Sequence, residues 1–187
     1  MDRKKLVKIG VPVLIILLVA GVWFIKNQKP LEPVVADIQS KETAGAPAVP
    51  SDPNFSLHTE KIDLEVLSAY KLPMILDFGS DDCIPCQEMA PVLVNMNAEM
   101  QGKAIIRFVD VWKYTDGAEG FPIQVIPTQV LVNADGTPYV PSEAVESSGI
   151  KFTMYSMKDS NEHVFTVHQG GLTEEQMRLI LKDMGVV

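Results

Sequence analysis

Cysteine is scarce in this chain: among 187 residues there are two, Cys83 and Cys86. So few thiols exclude a disulfide-stapled scaffold, and the core must come from apolar burial, for which an apolar content of 47% is ample. Histidine is scarce as well. Only His58, His163 and His168 could complete a zinc site with the two thiols. On a regular strand His163 and His168 would point to opposite faces, which argues against that site. Gln87 follows Cys86, so the C-x-x-C-H signature of haem attachment is missing. No metal and no cofactor is therefore expected. Positive charge is in deficit, with 16 Lys and Arg against 24 Asp and Glu and a net charge of −8. A phosphate-binding surface should be basic, so nucleic acid is not an expected partner. There is no internal repeat.

What is present centres on residues 74–86, Met-Ile-Leu-Asp-Phe-Gly-Ser-Asp-Asp-Cys-Ile-Pro-Cys. Met74 to Phe78 is a short apolar run, the mark of a strand buried on both faces. Met89, Leu93, Met96 and Met100 then recur at the period of a helix with one buried face. The two thiols thus stand where a buried strand turns into a helix. The first turn of a helix has unpaired N–H groups and a partial positive charge, which favour a thiolate. Cys83, nearest the tip, is expected to be the exposed nucleophile, with Cys86 the shielded second thiol. Asp81 and Asp82 serve equally well as helix caps or as charges that tune the site.

The chain opens with Arg3, Lys4, Lys5 and Lys8, and an uncharged apolar stretch runs from Ile9 to Ile25. That length is at the short end of what spans a bilayer. Trp23 and Phe24 would lie at the far interface, with Lys26 and Lys29 beyond it. The excess of basic residues before the span keeps the N-terminus cytoplasmic and exports the rest. A cleaved signal peptide fits less well, because no small-x-small pair directly follows the apolar core and Val34-Val35-Ala36 lies late. Residues 1–26 are therefore read as a single-pass membrane anchor. Residues 27–53, with Pro30, Pro33, Pro47, Pro50 and Pro53, are read as a semi-extended linker. Residues 54–187 are the folded domain.

Within that domain, Phe55 to Leu57 reads as a short edge strand, and Ile62, Val66, Ala69 and Tyr70 as a helix face ending before Pro73. Pro91 should bend the helix that follows the thiols. Ala104 to Val111 is expected to be a parallel neighbour of the first strand, completing a β-α-β unit. Thr128 to Asn133 reads as a strand turned back by Ala134-Asp135-Gly136. Residues 137–162 read as an added strand and hairpin, with Asp159 to Glu162 turning the chain into His163 to His168. Thr173 and Gln176 form a capping box for a last helix with Met177, Ile180, Leu181 and Met184 on one face, ended by Gly185.

Leu76-Asp77-Phe78, Cys83-Ile84-Pro85-Cys86, Ala90-Pro91 and Ile126-Pro127-Thr128, in this order and in a β-α-β setting, resemble the thioredoxin family. The resemblance implies an α/β, thioredoxin-like fold, a central mixed sheet flanked by helices. It also implies a cis peptide at Ile126–Pro127 lying against the two cysteines. The loop around it would expose backbone to a substrate strand, so Ile126, Pro127 and Thr128, with Ile84 and Pro85, are the expected substrate-binding residues. The chain departs from the family where tryptophans are common, at Gly79 and Asp82. Arg107 stands for the lysine common on the neighbouring strand and is expected to keep a cation near Asp77.

The implied chemistry is thiol–disulfide exchange. Cys83 as thiolate attacks a substrate disulfide; Asp77, buried and with a raised pKa, takes the Cys86 proton; Cys86 then attacks Cys83 and releases reduced substrate. Strong oxidants of this family owe their potential to a stable thiolate, which Asp81 and Asp82 would repel, so the sign favours reduction. The expected protein is an extracytoplasmic disulfide reductase acting on disulfide-containing proteins and recharged by a transmembrane thiol donor. A disulfide oxidase or isomerase, and a redox-inactive binding module, are the competing readings.

Overall fold

The computed structural model describes residues 52–187. The expected anchor, and the linker up to residue 51, lie outside the described residues. Among the described residues no helix is long and apolar enough to cross a membrane.

Five strands form one mixed sheet in the order β2-β1-β3-β5-β4. β1 (Met74–Gly79) is buried at every position, as an apolar run with no alternation requires. It lies parallel to β2 (Ile105–Asp110) and antiparallel to β3 (Thr128–Val132), so it has a hydrogen-bonded neighbour on each side. β5 (His163–Gln169) pairs with β3, and β4 (Thr153–Ser156) pairs with β5 as the expected hairpin. The segment before β4 contains a helix that the sequence did not suggest, α3 (Glu143–Ser147), which buries Val145.

Side-chain alternation along β1 divides the core in two. Ile75, with Ile106, Phe108 and Leu131, packs on one face against α2 (Ile84–Glu99), α3 and α4 (Glu174–Asp183). Met74, Leu76 and Phe78 pack on the other face with Leu67 of α1 (Leu64–Ser68) and with Phe121 and Ile123. Met89, Leu93 and Met96 of α2 are buried as their spacing predicts, and α2 runs unbroken through Pro91. The capping box at Thr173 and Gln176 is present, and Gly185, at φ 88°, takes the left-handed conformation that ends α4.

Three expectations need correction. The edge strand at Phe55–Leu57 is instead a 3-10 turn over Pro53–Phe55, because Pro53 starts it and the Asp52 carboxylate accepts from the Asn54 N–H. Strand-like pairing with β2 begins only at Leu57, whose carbonyl accepts from the Phe108 N–H at 2.7 Å. In α1 the buried side chain is Leu67, whereas Val66 is exposed; the helix is too short for a periodic pattern to set its phase. Finally, Arg107 lies level with Leu76 on β1, not with Asp77. Its guanidinium therefore points to the opposite face of the sheet, where Nη1 donates to the Asn54 carbonyl beside Asp52 and Tyr70.

Candidate active site

The chain leaves β1 at Gly79 and reaches the N-terminus of α2 in four residues, so the loop is tight and its polar atoms are used. The Asp81 N–H donates to Asp110 Oδ2 at 3.0 Å, and the Asp82 N–H to Ser80 Oγ at 3.2 Å. The same Asp110 carboxylate accepts from the Trp112 and Lys113 N–H groups through Oδ1, each at 3.0 Å. Asp110 thus ties the cysteine loop to the end of β2, and these bonds help hold its carboxyl below the usual range against the opposing effect of burial. Neither Asp81 nor Asp82 caps α2. The N-cap is Cys83, with no side-chain cap, and both aspartates are exposed.

Cys83 and Cys86 are free thiols at the tip and in the first turn of α2. Cys83 is only 8% exposed against 4% for Cys86, so the expected open nucleophile is largely covered. The cover is the cis-proline loop: the Ile126–Pro127 bond is cis, and Cys83 Sγ lies 3.9 Å from the Ile126 carbonyl oxygen. Around this contact the surface is apolar and open, with Ile84 69% and Val125 52% exposed. Pro85 is also exposed, Ile126 half-buried and Pro127 buried. Thr128 is fully buried, and its hydroxyl donates to the Val125 carbonyl at 2.7 Å. Its side chain therefore shapes the loop from within and offers no outward contact.

Cys86 faces the interior. A Cβ on Gly79 would stand 3.1 Å from its Sγ and 2.9 Å from the Phe108 ring, so the sulfur occupies the room that the missing side chain leaves. Burial first, and then the hydrogen bond with Cys83, push the Cys86 thiol up to about 12. A cavity of about 80 Å³ adjoins it, lined by His58, Ser80, Asp81, Cys86 and Phe108 among others.

Asp77 stands two residues before Gly79, on the same face of β1. It is 1% exposed, and burial raises its carboxyl to about 7, with a smaller opposing effect from a hydrogen bond to Gln129. That bond runs from Gln129 Nε2 to Asp77 Oδ1 at 2.6 Å, while Asp77 Oδ2 is buried without a partner. The Asp77 charge in turn adds to the upward push on Cys86, so the two groups sense each other. The structure therefore gathers Cys83, Cys86, Asp77 and the cis-proline loop at one end of the sheet. Sequence reasoning missed Gln129 and Asp110. Gln129 carried a usable signal, a lone amide inside an otherwise apolar strand one residue after the Ile-Pro-Thr motif.

Residues 54–155, more than half of the chain, match the family profile described as Thioredoxin. The chain is 38% identical over 77 residues to thioredoxin C-2 of Corynebacterium nephridii, covering 41% of this chain and 69% of that one. It is 26% identical over 124 residues to the mitochondrial thioredoxin of Mus musculus, covering 57% and 75%. Among solved structures, Fasciola hepatica thioredoxin is similar with a TM-score of 0.45 and 19% identity, covering 68% of this chain and 97% of that one.

Proposed function

Because the chain belongs to the thioredoxin family of thiol–disulfide oxidoreductases, we propose that it reduces disulfides of proteins outside the cytoplasm through Cys83 and Cys86, from a membrane anchor at residues 1–26. The observation that carries the chemistry is the division of the two thiols. Cys83 lies under an apolar, solvent-facing rim, and Cys86 is held as a neutral thiol beside a buried carboxyl that titrates near neutrality.

Cys83 attacks the nearer sulfur of a substrate disulfide, and the electron pair leaves on the far sulfur. The substrate segment runs over Ile84 and Pro85 and past the cis-proline loop, where the Ile126 backbone offers pairing while the Pro127 carbonyl accepts from the Gly170 N–H at 2.9 Å. In the mixed disulfide Cys86 gives its proton to Asp77, and the resulting thiolate attacks Cys83 Sγ. Substrate leaves reduced, and Cys83 and Cys86 are left as a disulfide. A transmembrane thiol donor restores the dithiol.

The reducing direction is supported by the carboxylates at the tip. Exposed Asp81 and Asp82 flank the approach to Cys83. Strong oxidants draw their potential from surroundings that stabilise a thiolate, and an acidic approach is not such a surrounding.

The test is turnover by the full chain of a disulfide-bonded model protein with a thiol donor in excess, together with protease accessibility in intact cells. Reduction that depends on both cysteines, and cleavage from the outer side only, are expected. No reduction of any model disulfide overturns the enzymatic reading, and a domain protected from external protease but cut in the cytosol overturns the topology.

A further inference from the structure

Gln129 is fully buried in the middle of the sheet, where a side-chain amide is costly unless its polar atoms are paired. β3 places it directly across from Asp77 in the β1–β3 register. Its Nε2 donates to Asp77 Oδ1 at 2.6 Å and lies 3.5 Å from Met89 Sδ. A carboxylate oxygen and a thioether sulfur both accept hydrogen bonds, so these neighbours fix which end of the amide faces Asp77. Its Oε1 and the Asp77 Oδ2 are both buried without partners. An apolar side chain would fill the same space without burying an unpaired amide oxygen.

We propose that Gln129 is a positioning residue for the release step: its amide nitrogen holds Asp77 Oδ1 and leaves Oδ2 as the oxygen that takes the Cys86 proton. The inference rests on the exchange reaction proposed above. Its step is balanced. The Cys86 S–H bond breaks and its proton goes to Asp77 Oδ2; the Cys83–Cys86 bond forms; the Cys83–substrate bond breaks, and its electron pair departs on the substrate sulfur.

The groups facing Asp77 are few. β2 presents Phe108 at the same register, β3 presents Gln129, and α2 presents Cys86, with Met89 behind the amide. Cys86 is the titratable one among them. Gln129 is thus the polar group through which the chain sets both the orientation and the proton affinity of Asp77. A donor to the charged form favours that form, so removing it makes Asp77 hold its proton to higher pH.

The full chain can be followed by NMR with labelled Asp carboxyl carbons and Gln side-chain amides. In the wild type, the Gln129 amide signals should shift with pH at the midpoint of Asp77; a Gln129 amide that stays flat while Asp77 titrates overturns the inference. In Gln129→Leu, and in Gln129→Met if the first is unfolded by circular dichroism, the Asp77 midpoint should rise by about one pH unit. Release of the mixed disulfide should slow about fivefold at neutral pH and about tenfold below it, and should stay slower than the wild type at alkaline pH, where Asp77 is ionised but no longer oriented, with the Cys83 attack unchanged. A packing role alone would leave the midpoint where it is. If the wild type exchanges disulfides but the variants keep its midpoint and release profile, this inference fails alone. A wild type that forms no mixed disulfide removes the exchange reading and this one together.

Discussion

Gly79 and Cys86 share one small volume: a Cβ at Gly79 would lie 3.1 Å from Cys86 Sγ. The glycine is required by this contact, since its backbone is ordinary extended strand. The missing side chain leaves room for the sulfur and for the Phe108 ring, which a Cβ would approach to 2.9 Å.

Gly79→Ala is accordingly expected to destabilise the domain by roughly 1–3 kcal/mol, the usual cost of overpacking a tight interior. It should also displace Cys86 and slow release more than attack. Urea unfolding and rapid-mixing kinetics read the two effects. A variant with wild-type stability and release would show that the sulfur does not need this space.

The two thiols should also separate in trapping. Cys86→Ala is expected to accumulate long-lived mixed disulfides through Cys83, and Cys83→Ala is not, because Cys83 stands at the tip of α2 next to exposed Ile84 while Cys86 faces Gly79 and Phe108. Non-reducing gels of the two variants with a disulfide-bonded partner decide this. Equal trapping by both would contradict the division of roles.

Asp77→Asn keeps the shape of the side chain and removes its proton chemistry. Release of the mixed disulfide is expected to fall by about tenfold or more, with the attack by Cys83 much less affected. Unchanged release in a folded variant would leave Asp77 a structural residue.

The same substitution has a signature in stability. The Asp77 carboxyl is raised by burial from its ordinary value to about 7. The folded state therefore holds this proton more tightly than the unfolded chain. The associated stabilisation is complete below the unfolded pKa, near 4, and is lost as pH rises through the folded pKa near 7. Above that, the wild type carries a buried carboxylate. Asp77→Asn should be the more stable protein at pH 8, and its advantage should shrink steadily toward pH 4. Urea midpoints across that range test the sign; an advantage that does not grow with pH would contradict the raised pKa.

What was legible in the sequence follows from how each element is encoded. β1, α2 and β2 announce themselves because a fully apolar run, a one-sided methionine and leucine stripe and a second apolar run need no tertiary information. The hairpin of β4 and β5 and the capping box at Thr173 were equally local signals. Short elements were not legible. α1, at five residues, is shorter than two helical turns, so Val66 and Leu67 could not be sorted by period. The turn at Pro53–Phe55 depends on Asp52 accepting from Asn54 and on the Tyr70 hydroxyl donating to Asp52, a pairing that only the fold creates. The face that Arg107 takes is not legible either, because a resemblance in sequence does not say which side of β2 a side chain occupies; strand register does. At the site, Cys83, Cys86 and Asp77 could be named from their motifs, but the cover over Cys83 comes from the cis-proline loop and the hold on Asp77 from β3, each more than forty residues away.

The central claim is the direction of exchange, and the redox equilibrium of the Cys83–Cys86 pair in the full chain against a defined thiol buffer tests it most directly. The claim rests on the carboxylates of Asp81 and Asp82 at the tip of α2 and on the absence of a histidine between the thiols. A potential below about −200 mV, on the reducing side of the disulfide isomerases, is the expected result. A potential near that of the strong periplasmic oxidants, about −120 mV, would contradict it.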